Sequence, residues 1–266
     1  KYCVPGNNAL QLKLDDMAFS AKCQNWEIPF QGTELENVDI SAHFNDSLTN
    51  IYKNEYREPR PDKTTLQVPV HGYGDWTHFD DHPYIDDKGL RNRAGQDNII
   101  TLPNDISFQS PSKGQNIVYT SLWDNYPDQV EIPLKGNASH AYLLMTGSTY
   151  HMQAQFVNGK VIIKYKDGSQ AELPLRNPDN WYSIERDHPI DDYAFDIDKA
   201  APVRMELITG DFYRPGKGRG VRKFIKGGAA TLLDIPLNEE KELDSLYLET
   251  TANEVIIGLM AISLQR

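Results

Sequence analysis

Between residues 129 and 181 apolar and polar positions alternate with period 2, broken by turn residues. Val161, Ile163 and Tyr165 alternate with Ile162 and Lys164, the turn is Lys166-Asp167-Gly168-Ser169, and Ala171, Leu173 and Leu175 alternate on the return. Asp-Gly between two such runs predicts an antiparallel hairpin, and a sheet whose strands end in such loops is a platform for presenting side chains. A second pattern recurs in Leu66-Gln67-Val68-Pro69-Val70, Val130-Glu131-Ile132-Pro133-Leu134 and Leu233-Asp234-Ile235-Pro236-Leu237. Proline donates nothing to a ladder, so these segments predict short strands with prolines at edges, strand ends or bulges. Their prolines lie 64 and 103 positions apart, which is no solenoid period.

Helical signals are few. Residues 48–55 predict a turn or two, stopped by Pro59 and Pro61. The nearly continuous apolar run over 254–264 is rich in β-branched residues and lacks caps. It predicts a strand buried on both faces, with a short buried helix as the alternative. Residues 1–36 carry fewer strand signals and read as an arm or the remnant of a preceding domain, and residues 37–266 as one β-sandwich domain. The turn-rich stretch 110–114 lies between two strand-like segments, 106–108 and 116–120, and so reads as a loop rather than a boundary.

Composition narrows the function. The net charge is −11, with 27 Lys and Arg against 38 Asp and Glu, which disfavours nucleic acid and anionic lipid and favours neutral or weakly charged partners. No apolar run approaches the roughly 20 residues of a membrane helix, so no membrane insertion is expected. The chain starts at Lys1 and shows no signal segment, which reads as a processed or excised piece. A bridge between Cys3 and Cys23 would close a loop of about 20 residues, worth on the order of 3 kcal/mol; two reduced thiols are the equal alternative. Nothing near them supplies further zinc ligands.

Several segments together resemble a known group. They are Val38-Asp39-Ile40-Ser41-Ala42-His43-Phe44-Asn45, Asp87-Lys88-Gly89-Leu90-Arg91, Leu102-Pro103-Asn104-Asp105-Ile106-Ser107-Phe108, Ile132-Pro133-Leu134-Lys135-Gly136-Asn137-Ala138 and Tyr165-Lys166-Asp167-Gly168-Ser169. Over roughly residues 37 to 266 the chain resembles the galactose-binding-like jelly-roll modules of large Bacteroidetes glycoside hydrolases. More narrowly, it resembles the C-terminal sandwich of polysaccharide-utilisation proteins that carry a domain of unknown function. The resemblance implies an all-β antiparallel sandwich of roughly eight strands or more. It also implies a secreted or periplasmic parent enzyme acting on glycans, with this chain as a carbohydrate-binding or buttressing module beside the catalytic domain. Modules of this kind often bind sugar at loop ends and often hold a structural calcium. The shared motifs are strand and turn signatures, specific for fold and carrying no defined site.

Two loops echo one another, Asp81-His82-Pro83-Tyr84-Ile85-Asp86-Asp87 and Asp187-His188-Pro189-Ile190-Asp191-Asp192, each after an aromatic, polar approach. If they meet at one end of the sandwich, Trp76, Trp181 and Tyr182 offer faces for a pyranose, while His78, Asp81, Arg186 and Asp187 take its hydroxyls. The plain structural alternative is that Asp and Pro are turn formers and each Trp is a core residue under a loop. Asp86, Asp87, Asp191 and Asp192 are the calcium candidates, although solvated turns produce the same pairs and no EF-hand spacing is present. A glycosidase needs two carboxyls about 5 to 10 Å apart, one with raised pKa. Asp75, Glu185 and Asp187, with His188 as an acid or base, are the candidates for that alternative. Trp123, in a turn, reads as a core residue. The basic stretch from Arg214 to Lys223 lacks the ending and context of a phosphate loop, and reads as a loop for an acidic glycan or the parent's catalytic domain. The expected function is therefore a non-catalytic glycan-binding module. The alternatives are a glycoside hydrolase or lyase, or an interdomain support without ligand.

Overall fold

The alternating segments assemble into antiparallel sheets, two of which stack face to face as an all-β sandwich. The computed structural model describes residues 34–53, 84–102, 105–122, 125–149, 153–187, 201–215, 225–253 and 255–266, with the backbone alone at 190–191, 195–196 and 223–224. The larger sheet has seven strands, numbered here in chain order. Across it run β17 (Ile256–Gln265), β6 (His140–Gly147), β15 (Ala229–Pro236), β12 (Arg204–Glu206) and β13 (Phe212–Tyr213). Along the other side of β17, β1 (Leu35–Val38) pairs with its C-terminal half and β4 (Val118–Ser121) with its N-terminal half. The smaller sheet has four strands, β5 (Gln129–Pro133), β16 (Leu243–Thr250), β7 (Val157–Tyr165) and β8 (Gln170–Arg176), in that order. Three short pairs complete the set: β2 (Ile99–Thr101) with β3 (Ser107–Gln109), β9 (Arg186–Asp187) with β14 (Lys223–Phe224), and β10 (Ile190–Asp191) with β11 (Phe195–Asp196).

Two hydrophobic cores flank the larger sheet. On the inner face Leu143, Met145, Leu233, Ile257 and Leu259 pack against Ile132, Val161, Ile163, Leu246 and Leu248 of the smaller sheet. On the outer face Leu144, Leu232, Met205 and Met260 pack against Leu48, Ile51, Leu90, Ile100 and Phe108. That third layer comprises 3-10 turns at Ser41–His43 and Leu48–Asn50, helix α1 (Lys88–Ala94) and the β2–β3 pair. Burial on both faces explains why β6, β15 and β17 read as continuous apolar runs rather than alternating ones.

β17 is the both-face-buried strand that its composition predicts, and all ten of its residues are buried. Its register against β6 shifts between Leu259 and Ala261. The extra residue changes the phase of the alternation: Ile257 and Leu259 face the inner core, Met260 and Ala261 the outer one, and Ile262 and Leu264 the inner one again.

The predicted hairpin is formed by β7 and β8, with Val161 opposite Leu173 and Ile163 opposite Ala171. Gly168 takes φ 84° in its turn, and the Asp167 carboxylate accepts the Ser169 N–H at 2.8 Å and pairs with Lys241 at 2.8 Å. Pro133 ends an edge strand, Pro174 lies in the opposite edge strand, and Pro236 ends β15. The repeat containing Pro69, both cysteines and Trp123 lie outside the described residues. Strand β1 starts at Leu35, so the sheet takes in two residues that read as part of the arm.

Helix α1 has no counterpart in the sequence reading because its sequence, KGLRNRA, contains Gly89 and Asn92. Packing forms it. A Cβ on Gly89 would lie 2.4 Å from the Thr209 carbonyl carbon, and the Leu90 N–H donates to the Leu207 carbonyl at 3.0 Å.

Glycine contacts give a graded test. A Cβ on Gly147 would sit 2.0 Å from the Ile256 carbonyl oxygen and 2.7 Å from the Trp181 ring, so Gly147→Ala must move a central strand or a core indole. The expected loss is about 3 kcal/mol or more. Gly168 has nothing within 4 Å, so Gly168→Ala carries only the left-handed backbone cost of about 1–2 kcal/mol. Urea denaturation should rank the two variants in that order with unchanged m.

Candidate functional site

The described end of the first echoing segment and the approach to the second flank one strip. Ile85 forms a parallel bridge with Gly227, and the Asp86 N–H donates to the Gly227 carbonyl at 3.1 Å. From the other side the Ile225 N–H donates to the Glu185 carbonyl at 2.8 Å and the Ala229 N–H to the Ile184 carbonyl at 2.7 Å. The strip 223–229 therefore lies between residues 84–87 and 184–187. Gly228, at φ 87°, is where they touch: a Cβ there would lie 2.9 Å from Ile184 and 3.2 Å from Ile85.

The side chains do not point outward, which corrects the ligand-contact expectation for this loop. Trp181 is 0% exposed, lies in the inter-sheet core against Gly147, and its indole N–H donates to the Ser148 carbonyl at 3.4 Å. Tyr182 is 1% exposed beneath the Arg204 guanidinium, 5.5 Å from its ring, and burial pushes its hydroxyl pKa up. No sugar face reaches either ring. Arg186 and Asp187 are buried too. Asp187 Oδ1 accepts from Arg204 Nη1 at 2.6 Å and from the Tyr213 hydroxyl at 3.0 Å.

Arg204 organises this region, and it was not among the residues singled out from the sequence. It is 0% exposed, and besides Asp187 its guanidinium donates to the carbonyls of Arg186 (2.7 Å), Ser183 (2.8 Å) and Ala229 (3.1 Å). Strand β12 forces this placement: Val203, Met205 and Leu207 belong to the outer core, so the alternate residue points the other way, under the 183–187 loop. The available signal was a lone charge within the apolar alternation Val203-Arg204-Met205.

Glu185 is buried and accepts the Tyr52 hydroxyl. Burial pushes its carboxyl pKa up, opposed first by the neighbouring Ser183 hydroxyl, then by the Tyr52 hydrogen bond and the Arg186 charge. A raised carboxyl near a second, ionically paired carboxyl has the composition of a glycosidase pair. Yet Glu185 and Asp187 are engaged by protein partners at 3% and 2% exposure.

Asp86 is held by the Lys88 N–H at 3.0 Å and by the Lys88 ammonium at 3.4 Å. Asp87 Oδ2 accepts from Arg91 Nε and Asn116 Nδ2, both at 2.9 Å. Among the described residues no group of three or more His, Cys, Asp or Glu side chains is placed to hold an ion. Asp191 is described in backbone only, and Asp75, Trp76, His78, Asp81, His188 and Asp192 lie outside the described residues.

An open cleft of about 220 Å³ lies elsewhere, between the 39–44 turn and the β2–β3 pair, with Ile40, Phe44, Asn98 and Gln109 among its lining. Sequence reasoning took residues 38–45 only as a fold signature and passed over Asn98 and Gln109. No protein-family model matches the chain, and no curated protein matches it. What the fold defines is an all-β sandwich with a third, partly helical layer on its larger sheet.

Removing one partner of a buried ion pair leaves the other uncompensated, so Arg204→Met should cost about 3–5 kcal/mol in urea denaturation. The double variant Arg204→Met/Asp187→Leu should recover part of that loss. Glu185 gives a pH test. Its folded pKa lies above the ordinary 4.5, so its contribution is fully present below that value and is lost as pH rises through the folded pKa. Glu185→Gln keeps an acceptor for Tyr52 and removes the titration. Relative to the parent it should therefore be more stable at pH 8 than at pH 4.5, as measured by urea midpoints across that range.

Proposed function

We propose that this chain is a non-catalytic, glycan-binding accessory module of a glycan-degrading enzyme, of galactose-binding-like jelly-roll type, secreted or periplasmic with its parent. The observation that carries the reading is the state of residues 184–187. The candidate acids there, Glu185 and Asp187, are buried in hydrogen bonds to protein, which supports a bracing role for them rather than a catalytic one. The acidic balance of the chain favours neutral glycans over anionic ones. The strand and turn signatures shared with jelly-roll modules add the parent's chemistry.

The test is incubation of the purified chain with neutral and acidic polysaccharides, followed on the same samples by affinity electrophoresis and reducing-sugar release. The expected result is retardation by a neutral polysaccharide with no product. Product release would replace the module with an enzyme, and neither signal across a broad panel would leave a ligand-free interdomain support.

A further inference from the structure

We propose that the cleft between the 39–44 turn and the β2–β3 pair is a subsite for one neutral pyranose unit, the terminus or a branch of a glycan. The assignment rests on the glycan-binding reading above and adds the place and the ligand class. Size comes first. At about 220 Å³ the cleft falls below the roughly 300–1,000 Å³ of pockets for drug-sized ligands, so it admits a single ring rather than an oligosaccharide.

The lining matches the two sides of such a ring. Phe44 and Pro111, half-buried over the core residue Ile40, supply apolar surface for the C–H face of a sugar. Asn98 and Gln109 supply amides for its hydroxyls. Asn98 sits at φ 55°, in the left-handed region that asparagine adopts more readily than most residues. Its Oδ1 accepts the Ser112 N–H at 2.9 Å and the Ser112 hydroxyl at 3.1 Å, which fixes the direction of Nδ2. Among the described residues neither that Nδ2 nor the Gln109 side-chain amide has a hydrogen-bond partner in the protein. The Asn98 amide, oriented by Ser112, and the adjustable Gln109 amide line one small cleft, which suits neighbouring hydroxyls.

Charge selects among sugars. Asp39 lines the same cleft and is exposed, and the Ser41 N–H, donating at 2.9 Å, holds its carboxyl below the usual range. A fixed carboxylate there accepts from a hydroxyl but repels a uronate or a sulfate, and the net charge of −11 acts in the same direction.

The test is a ¹⁵N-HSQC titration of the full chain with methyl glycosides of neutral hexoses and 6-deoxyhexoses, and with glucuronic acid. Alongside it, the neutral polysaccharides are run in affinity electrophoresis. The expected result is saturable shifts at the amides of Ser41, Asn98 and Gln109 with at least one neutral glycoside. Binding should weaken about tenfold in Asn98→Asp, which keeps the acceptor for Ser112 but loses the Nδ2 donor, and about tenfold in Gln109→Ala. Glucuronic acid should bind about tenfold more weakly than the neutral sugar. Unchanged spectral dispersion of the variants separates lost contacts from lost folding. Retardation by a polysaccharide with no shifts at these amides, or with both variants binding as the parent does, would overturn the cleft and leave the module reading standing. No binding in either assay would overturn both.

Discussion

Both faces of β17 are packed against side chains, so each of its ten residues must find a neighbour above, below or beside it. One sheet partner cannot supply that. The smaller sheet covers Ile257, Leu259, Ile262 and Leu264, and the outer layer covers Ile256, Met260 and Ala261. Leaving a large apolar side chain exposed forfeits about 1.5–3 kcal/mol, so the 41–53 and 88–110 segments are structural requirements rather than decorations. The register shift near Met260 belongs to the same constraint, because it lets one strand serve two cores whose apolar positions fall out of phase.

Arg204 is the polar counterpart of that apolar arrangement. Burying a guanidinium is costly unless its donors are used, and here Nη1 and Nη2 go to Asp187 and three backbone carbonyls drawn from the 183–186 segment and from β15, while Nε is buried without a partner. The Tyr213 hydroxyl adds a second donor to Asp187, and Thr146 adds one at 2.9 Å to the same Ala229 carbonyl that Arg204 reaches. One side chain thus ties carbonyls of the loop and of β15 together. Such a network is stable in one geometry and poor in its neighbours, which makes it a device for fixing where the loop runs.

Local signals were legible wherever local chemistry decides the outcome. The Asp-Gly turn and flanking alternation specify the β7–β8 hairpin, the β-branched run specifies β17, and Pro133 and Pro236 fall at strand ends. Signals failed where tertiary contact decides. Nothing near Gly89 favours a helix, since its stabilising surface is the backbone at 208–210, far along the chain. The loop 181–187 looked like a binding loop because Trp, Tyr, Arg and Asp are also what a ligand site uses. Which side a loop folds toward depends on Gly147 and Arg204, which lie outside it. Asn98 and Gln109 gave no sequence signal at all, because an unspent amide is recognised only once its possible partners have been placed.

The cleft and the buried network differ in a way that bears on function. In the buried network Arg204 and Asp187 are turned inward onto protein partners, whereas the cleft presents its amides at the surface. The cleft walls are nonetheless anchored to the larger sheet. Asn45 exchanges hydrogen bonds with the backbone of Tyr119 in β4 at 2.8 Å in each direction, and the Ser110 N–H donates to the Asn98 carbonyl at 2.8 Å. Ser107, in the same strand as Gln109, donates its hydroxyl to Asn37 of β1 at 3.0 Å, and the Ser263 hydroxyl of β17 donates to the same Asn37 oxygen at 2.8 Å. Little ordering therefore remains to be done when a ligand arrives, which matters for a site too small to bury much area. A single sugar unit bound there would be held weakly. A weak site gains its effect when covalently joined to a second binding element, because tethering turns the second contact into an intramolecular event. That arithmetic suits a small preformed cleft on a rigid sandwich better in a module beside another domain than in a lone receptor.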